Sequence, residues 1–498
     1  MGETLSVSGW VLFGVAFTVA VFLFAALRRS QTTLANQAIQ DGNVTLISKL
    51  MQSHFLPTPL QEITISERQF PFRVRADLQR AIDRLFDSST AISHFCGVRK
   101  EYSHEALTLS DCIVVSQHSP AVSVPPQYEE VSIGDDEPIR CLKNGLWFLE
   151  QGQNKYAVLL APVGHFGQIS GMQFQIAVLN NPEGTRITQA FFKHLEDSVL
   201  KAESYRGKIL SLEKSEHSYT GASTGITVHK LRNVERQQVI LPRKTLDLLD
   251  RNTIQFVQQR PRLAKFRQAT KKGLLFYGPP GTGKTHTIHY LAKALEGHTT
   301  LLISAEQVGL LSEYMTLARL LQPSIVIMED VDLIARDRAT MESACEEVLL
   351  NKLLNEMDGL KEDADILFIL TTNRPEALEQ ALASRPGRID QAIEFPLPDD
   401  EGREKLVRLY SEGVEVSDDV VGVIVNRTDK VSAAFIKELM RRSVQFHLER
   451  NGTGRIELPD VEQAIEEMLF SGGSLNLKLL GAEAKDGSTR CVVVERNT

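Results

Sequence analysis

A lysine and a threonine, Lys284-Thr285, close the glycine-rich run Gly278-Pro279-Pro280-Gly281-Thr282-Gly283. That spacing suits phosphate chemistry. The ammonium can reach the outer phosphates of a nucleoside triphosphate and the hydroxyl can ligate Mg²⁺, while glycines let backbone amides close around anionic oxygens. An apolar run, Leu274-Leu275-Phe276-Tyr277, precedes the glycines, and a helical stretch from His286 to Leu295 follows them. Strand, tight turn and helix start form the context that a phosphate-binding loop requires. Gly278 to His286 is therefore expected to hold ATP.

Hydrolysis asks for more than a cradle. The run Ile325-Val326-Ile327-Met328 reads as a buried strand ending in Glu329-Asp330. Carboxylates at that end of a strand beside the phosphate loop can hold Mg²⁺ through water and polarise the attacking water. A further apolar run, Ile366 to Leu370, leads into Thr371-Thr372-Asn373, whose amide can hydrogen-bond that water or the γ-phosphate. Ser384-Arg385-Pro386-Gly387-Arg388 then sets two arginines close together on a loop. Each element has a plainer explanation, since strand-end acids also cap helices and loop arginines are often surface charge. Their order and separations together favour the catalytic one.

GPPGTGKT, the acid-tipped strand, Leu353-Leu354-Asn355-Glu356-Met357-Asp358-Gly359-Leu360, Thr371-Thr372-Asn373-Arg374-Pro375 and Arg385-Pro386-Gly387-Arg388-Ile389-Asp390 together resemble an AAA ATPase. The resemblance covers roughly Val239 to Phe470. It implies an α/β fold, with a parallel-sheet nucleotide domain and a small helical lid, that takes ATP and Mg²⁺ and assembles as a ring, usually a hexamer. By position it implies Lys284 and Thr285 as the phosphate and Mg²⁺ groups and Asn373 as the γ-phosphate sensor. Glu329 and Asp330 take the acid positions, and Arg385 and Arg388 those of fingers that reach a neighbouring subunit's nucleotide. An isolated subunit is then expected to hydrolyse little.

Two departures qualify this. The family's strand-end order is usually Asp then Glu; here Glu329 precedes Asp330, which leaves their division of roles open. The inverted order is similar to that of the membrane-anchored mitochondrial AAA proteins that insert the Rieske iron-sulfur protein. Ser304 to Pro323 is also short and lacks the aromatic-apolar-glycine pore loop of threading members. Tyr314 reads as core there, and Lys430 replaces a glycine common in those members.

Around this half, 498 residues leave room for two or three domains. Thr4 to Leu27 carries no charge, and Trp10 to Leu27 is apolar and long enough to cross a hydrocarbon layer as a helix. Arg28-Arg29 follows, which places the remainder on the cytoplasmic side of a single-pass anchor. A cleaved signal peptide is the competing reading, but the segment lacks a basic n-region and a small-x-small cleavage site. The expected organisation is an anchor at 1–29, an α+β substrate or adaptor domain at 30–217 and a linker at 218–235. The nucleotide domain then spans 236–398, the lid 399–470 and a tail 471–498. In the adaptor region, Val74 to Phe86 has helical spacing, Tyr156–Leu160 and Phe174–Leu179 read as strands, and Pro120–Pro126 reads as a loop. A helix from Thr185 reaches towards Leu212.

The function expected is a membrane-anchored, ring-forming ATP hydrolase that remodels, chaperones or moves protein substrates. A nucleotide-gated switch with little hydrolysis is the alternative; the inverted acids favour it and the arginine pair opposes it. A protease would need a His-Glu-x-x-His helix after the lid. His104-Glu105 begins such a motif, but Thr108 stands where the second histidine belongs, so proteolysis would fall to a partner. A net charge of -8 argues against nucleic acid as a partner. The five cysteines are scattered without paired spacing, as reduced structural thiols are.

Overall fold

The computed structural model describes residues 45–86, 91–100, 106–115, 119–165, 168–212, 225–334, 355–357, 359, 363–376, 388–450, 452 and 454–468. The expected anchor, the first part of the linker (218–224), Leu353, Leu354, Arg385 and the tail lie outside the described residues. The chain divides into two compact units. Of the described residues, the first holds those up to Ser204; the second takes 205–212 and continues from Ile226.

The first unit is built on an antiparallel sheet. Its strands are β1 (Ile63–Pro71), β2 (Ala91–Arg99), β3 (Val122–Val124), β4 (Gln127–Val131), β5 (Ile139–Gln151), β6 (Asn154–His165) and β7 (Gln168–Leu179). They lie in the order β1-β7-β6-β5-β2-β3, with β4 also on β5. Alternation along β5 explains why both faces are covered. Trp147 and Leu149 pack on one side with α2 (Arg75–Leu85) and α4 (Pro182–Lys201). Leu146 and Phe148 pack on the other with α1 (Ile47–Phe55) and α3 (Leu109–Ile113).

Two local expectations change here. Val122–Val124 is a strand inside the stretch read as a loop. Helix α4 is capped at its start by Asn181, which accepts from the Gly184 amide at 2.7 Å, and it ends at Lys201, where Ala202 turns left-handed (φ 48°). It does not continue to Leu212. Instead β8 (Ile209–Leu212) joins the sheet of the second unit.

That sheet comprises β8, β9 (Ile226–Val228), β10 (Lys272–Tyr277), β11 (Thr299–Ile303), β12 (Ser324–Met328), β13 (Ile366–Thr372) and β14 (Gln391–Glu394), in the order β14-β10-β13-β12-β11-β8-β9. Every pair from β14 to β8 is parallel, and β9 folds back antiparallel on β8. Every residue of β12 and β13 is buried, as the unbroken apolar runs demand of strands covered on both faces. Helices α5 (Arg243–Asn252), α6 (Ile254–Lys265), α7 (Lys284–Ala294), α8 (Leu311–Leu320) and α9 (Val331–Ile334) accompany the sheet. Because β8 and β9 belong to it, this unit begins earlier than the expected boundary at 236.

Tyr314 on α8 is fully buried. Its hydroxyl accepts from the Leu212 amide at 2.7 Å and donates to Gln307 Oε1 at 2.9 Å, fastening β8 to the turn after β11. The lid follows as α10 (Asp400–Tyr410), α11 (Asp418–Arg427), α12 (Ala433–Glu449) and α13 (Leu458–Glu466). A two-residue ladder joins β15 (Glu415–Val416) to β16 (Arg455–Ile456). Phe435, Ile436, Leu439, Met440 and Val461 form the lid's core.

Candidate functional site

Parallel strands end at a common edge, so the loops after β10, β12 and β13 meet there. The loop after β10 is the glycine run. Gly278 sits at φ 146°, and a Cβ on it would meet the Phe395 carbonyl oxygen at 2.2 Å. Gly281, at φ 75°, leaves no room either, because Ala434 Cβ would lie 2.8 Å away. These two positions need glycine for conformation and for close approach at once.

Lys284 opens α7 and is buried. Its Nζ folds back to donate to the carbonyls of Gly278 at 2.8 Å and Pro279 at 3.0 Å. Burial pulls its pKa down to about 8, against the opposing pull of Asp330 and Asp332. Thr285 Oγ1 donates to Glu329 Oε1 at 2.8 Å, joining the phosphate loop to the end of β12. A hydroxyl and a carboxylate so placed are hard oxygen donors of the kind Mg²⁺ takes, with phosphate oxygens and water completing its shell. Among the described residues no group of three or more His, Cys, Asp or Glu side chains gathers as a metal centre. His286 Nε2 lies 3.2 Å from the Gln238 carbonyl oxygen; burial lowers its pKa, with that carbonyl pulling the other way.

Asp330 has a left-handed backbone (φ 49°), uncommon for a residue with a Cβ. Its amide donates to Thr371 Oγ1 at 3.0 Å, and its Oδ1 accepts from Asn373 Nδ2 at 3.0 Å. The acid at the end of β12 and the amide after β13 are thus in direct contact. Next to them is a residue the sequence reading passed over. Asp332, 3 % exposed, accepts from Thr372 Oγ1 at 2.9 Å and from the Asn373 amide at 3.1 Å through the same Oδ1. Its only signal in the sequence is that it is the third acid of Glu329-Asp330-Val331-Asp332.

A cleft of about 370 Å³ opens over these groups. It is walled by the glycine loop, Asp330 and Asn373, by Gln238–Leu241, and on the lid side by Leu406, Tyr410, Ala433, Ala434 and Lys437. Its size suits a small ligand. The lid touches the loop directly, since the Ala434 amide donates to the Gly281 carbonyl at 3.1 Å. Gln238–Leu241 carried no motif; a short apolar stretch ahead of Pro242 was its only trace.

Arg388 is not in this wall. It is half-buried just before β14, and its carbonyl faces Gly273 at the start of β10, the end opposite the glycine loop. Asp390 fixes that stretch: its amide donates to the Gly273 carbonyl, and its Oδ2 accepts from the Gly273 amide, both at 2.8 Å.

Residues 274–397 match the family described as ATPase family associated with various cellular activities (AAA). The chain is 33% identical over 208 residues to a proteasome-activating nucleotidase of Methanosphaerula palustris, covering 39% of this chain and 50% of that protein. It is 29% identical over 242 residues to the ATP-dependent zinc metalloprotease FtsH of Thermus thermophilus, covering 45% and 38%. A 26S proteasome regulatory subunit 6B homolog of Dictyostelium discoideum is 34% identical over 196 residues, covering 36% and 47%. The chain thus spans about half, or less, of the length of these relatives. On matched sequence and on fold, this chain carries an AAA ATPase domain.

Proposed function

We propose that the chain is a membrane-anchored, ring-forming ATPase that couples ATP hydrolysis to the remodelling, chaperoning or translocation of protein substrates. The observation that carries the enzymatic part is the convergence of Lys284, Thr285, Glu329, Asp330 and Asn373 at one strand edge, with Thr285 bonded to Glu329 at 2.8 Å and Asn373 to Asp330 at 3.0 Å. Lys284 would exchange its two carbonyl partners for β- and γ-phosphate oxygens. Bound Mg²⁺ would neutralise phosphate charge beside Thr285 and Glu329. Asp330 would accept a proton from the attacking water while Asn373 holds that water in line. The γ-phosphoryl group then passes to water, leaving ADP and phosphate.

Arg388 stands at the far end of β10 from its own cleft, which supports a role at a neighbour's nucleotide, with Arg385 beside it in sequence. The names of the relatives concern proteasomes and a protease, which supports protein as the substrate class and leaves room for a separate proteolytic partner. The charge-free run Trp10–Leu27 followed by Arg28-Arg29 supports the anchor. Glu329-Asp330 supports a likeness to the Rieske-protein translocases within the family.

The alternative, a switch with little turnover, draws on the direct Asn373–Asp330 contact, which occupies the acid's Oδ1. The rate of ATP hydrolysis per subunit, followed against protein concentration, separates the two. A rate that climbs with concentration and collapses in Arg385→Ala and Arg388→Ala supports the shared-site ring. A flat, near-zero rate with ATP bound supports the switch.

A further inference from the structure

Asp332 is out of place for a structural residue. A carboxylate 3 % exposed carries a desolvation cost; the Lys284 ammonium offsets part of it through space, but its hydrogen-bond partners are a neutral hydroxyl and a neutral amide. A hydroxyl group could satisfy the same two donors at lower cost. What distinguishes the site is where those donors sit. One is the side chain of Thr372 and the other is the backbone of Asn373, the residue whose side chain holds Asp330. Thr372 Oγ1 in turn accepts from the Arg374 amide at 2.9 Å, so both backbone amides flanking the Asn373 carboxamide are tied, directly or through one hydroxyl, to a single carboxylate oxygen.

We infer that Asp332 is the positioning residue of the hydrolytic site: it sets the direction of the Asn373 side chain, and through it the direction of Asp330, without touching nucleotide. This rests on the hydrolytic reading of the cleft. The strand end at Asn373 is where the chain leaves β13, so nothing in the ladder fixes its amide. Asp332 replaces the missing ladder partner. It sits on α9, immediately after the strand that carries the two acids, so acid and sensor are referred to one rigid point. A catalytic constellation must hold its groups to within about 0.5 Å, which only side chains locked by their own hydrogen bonds achieve. The left-handed backbone at Asp330 sharpens the need, since that conformation persists only where surrounding contacts impose it.

The test uses the full chain at a concentration where wild type turns over. Asp332→Ala removes the acceptor. Asp332→Asn keeps an oxygen at Oδ1 and removes the charge. The expected result for Asp332→Ala is a fall in kcat of about 10- to 100-fold, with the Kd for a non-hydrolysable ATP analogue within about threefold of wild type. Asp332→Asn should recover most of the lost kcat. Amide hydrogen exchange at Asn373 should quicken in Asp332→Ala and return towards wild type in Asp332→Asn. Wild-type kcat in Asp332→Ala overturns the inference, and so does a parallel loss of kcat, analogue binding and melting temperature that Asp332→Asn fails to reverse. If wild type itself binds the analogue but does not turn over, the hydrolytic reading falls and this inference falls with it. Normal wild-type turnover beside an indifferent Asp332→Ala removes this inference alone.

Discussion

Lys284 is the residue on which the chemistry turns, and its surroundings fix two measurable consequences. Without nucleotide, its ammonium rests on two carbonyls inside the fold. Each such charge-assisted contact is worth about 1.5–3 kcal/mol when remade to phosphate. Lys284→Ala should therefore lower ATP-analogue affinity by roughly 100-fold or more. Asp330→Asn should leave affinity within a few-fold and abolish turnover, and titration calorimetry beside a phosphate-release assay reads both. Equal loss of binding in the two variants would undo the assignment of the acid. The lysine's pKa, near 8 against an ordinary 10.5, gives the second consequence. Between those values the unfolded chain carries a proton that the folded chain lacks, so the nucleotide-free protein gains stability as pH rises through the window. Analogue affinity moves the other way, falling once pH passes about 8. Melting temperatures and binding isotherms from pH 7 to 10 check the opposed trends, and Lys284→Met should remove the lysine's share of both.

Among the elements, the lid helix α12 couples packing to binding. Ser432 caps it by accepting from the Phe435 amide at 3.2 Å, which aims the helix start, and with it the Ala434 amide, at Gly281. Ser432→Ala should cost about 1 kcal/mol of stability and also weaken nucleotide binding, because the lid loses its aim at the loop. Denaturant melts of the free and nucleotide-bound protein measure both; unchanged affinity would mean that the cap serves the lid alone. Elements were legible in the sequence in proportion to how far local pattern decides them. The unbroken apolar runs of β12 and β13 announced themselves, and so did the stripe Leu78, Ala81, Ile82 and Leu85 of α2. Ile209–Leu212 did not. Four residues following a long helix look like more helix until β11 offers them a ladder, and only the tertiary partner decides. The site divides in the same way. The glycine loop is a contiguous word, whereas Asp332 and Gln238–Leu241 matter through residues far off in sequence.

On the scale of the whole molecule, the chain is organised as two compact units whose boundary the sequence placed too late. Polar composition marks a linker only where residues have no strand to join, and here residues just before the expected linker and residues within it are taken into the second sheet. The added pair β8–β9 has a practical consequence. It lies along the flank of β11, whose backbone would otherwise be unpaired on that side. A shortened protein starting at 236 would keep the whole cleft, Gln238–Leu241 included, yet strip that flank bare. Bare strand rims recruit strands from other molecules. Such a fragment should stack into insoluble material as its concentration rises, while one starting at Tyr205 stays dispersed. Light scattering on the two fragments would tell them apart, and equal solubility would mean that β11 needs no cover.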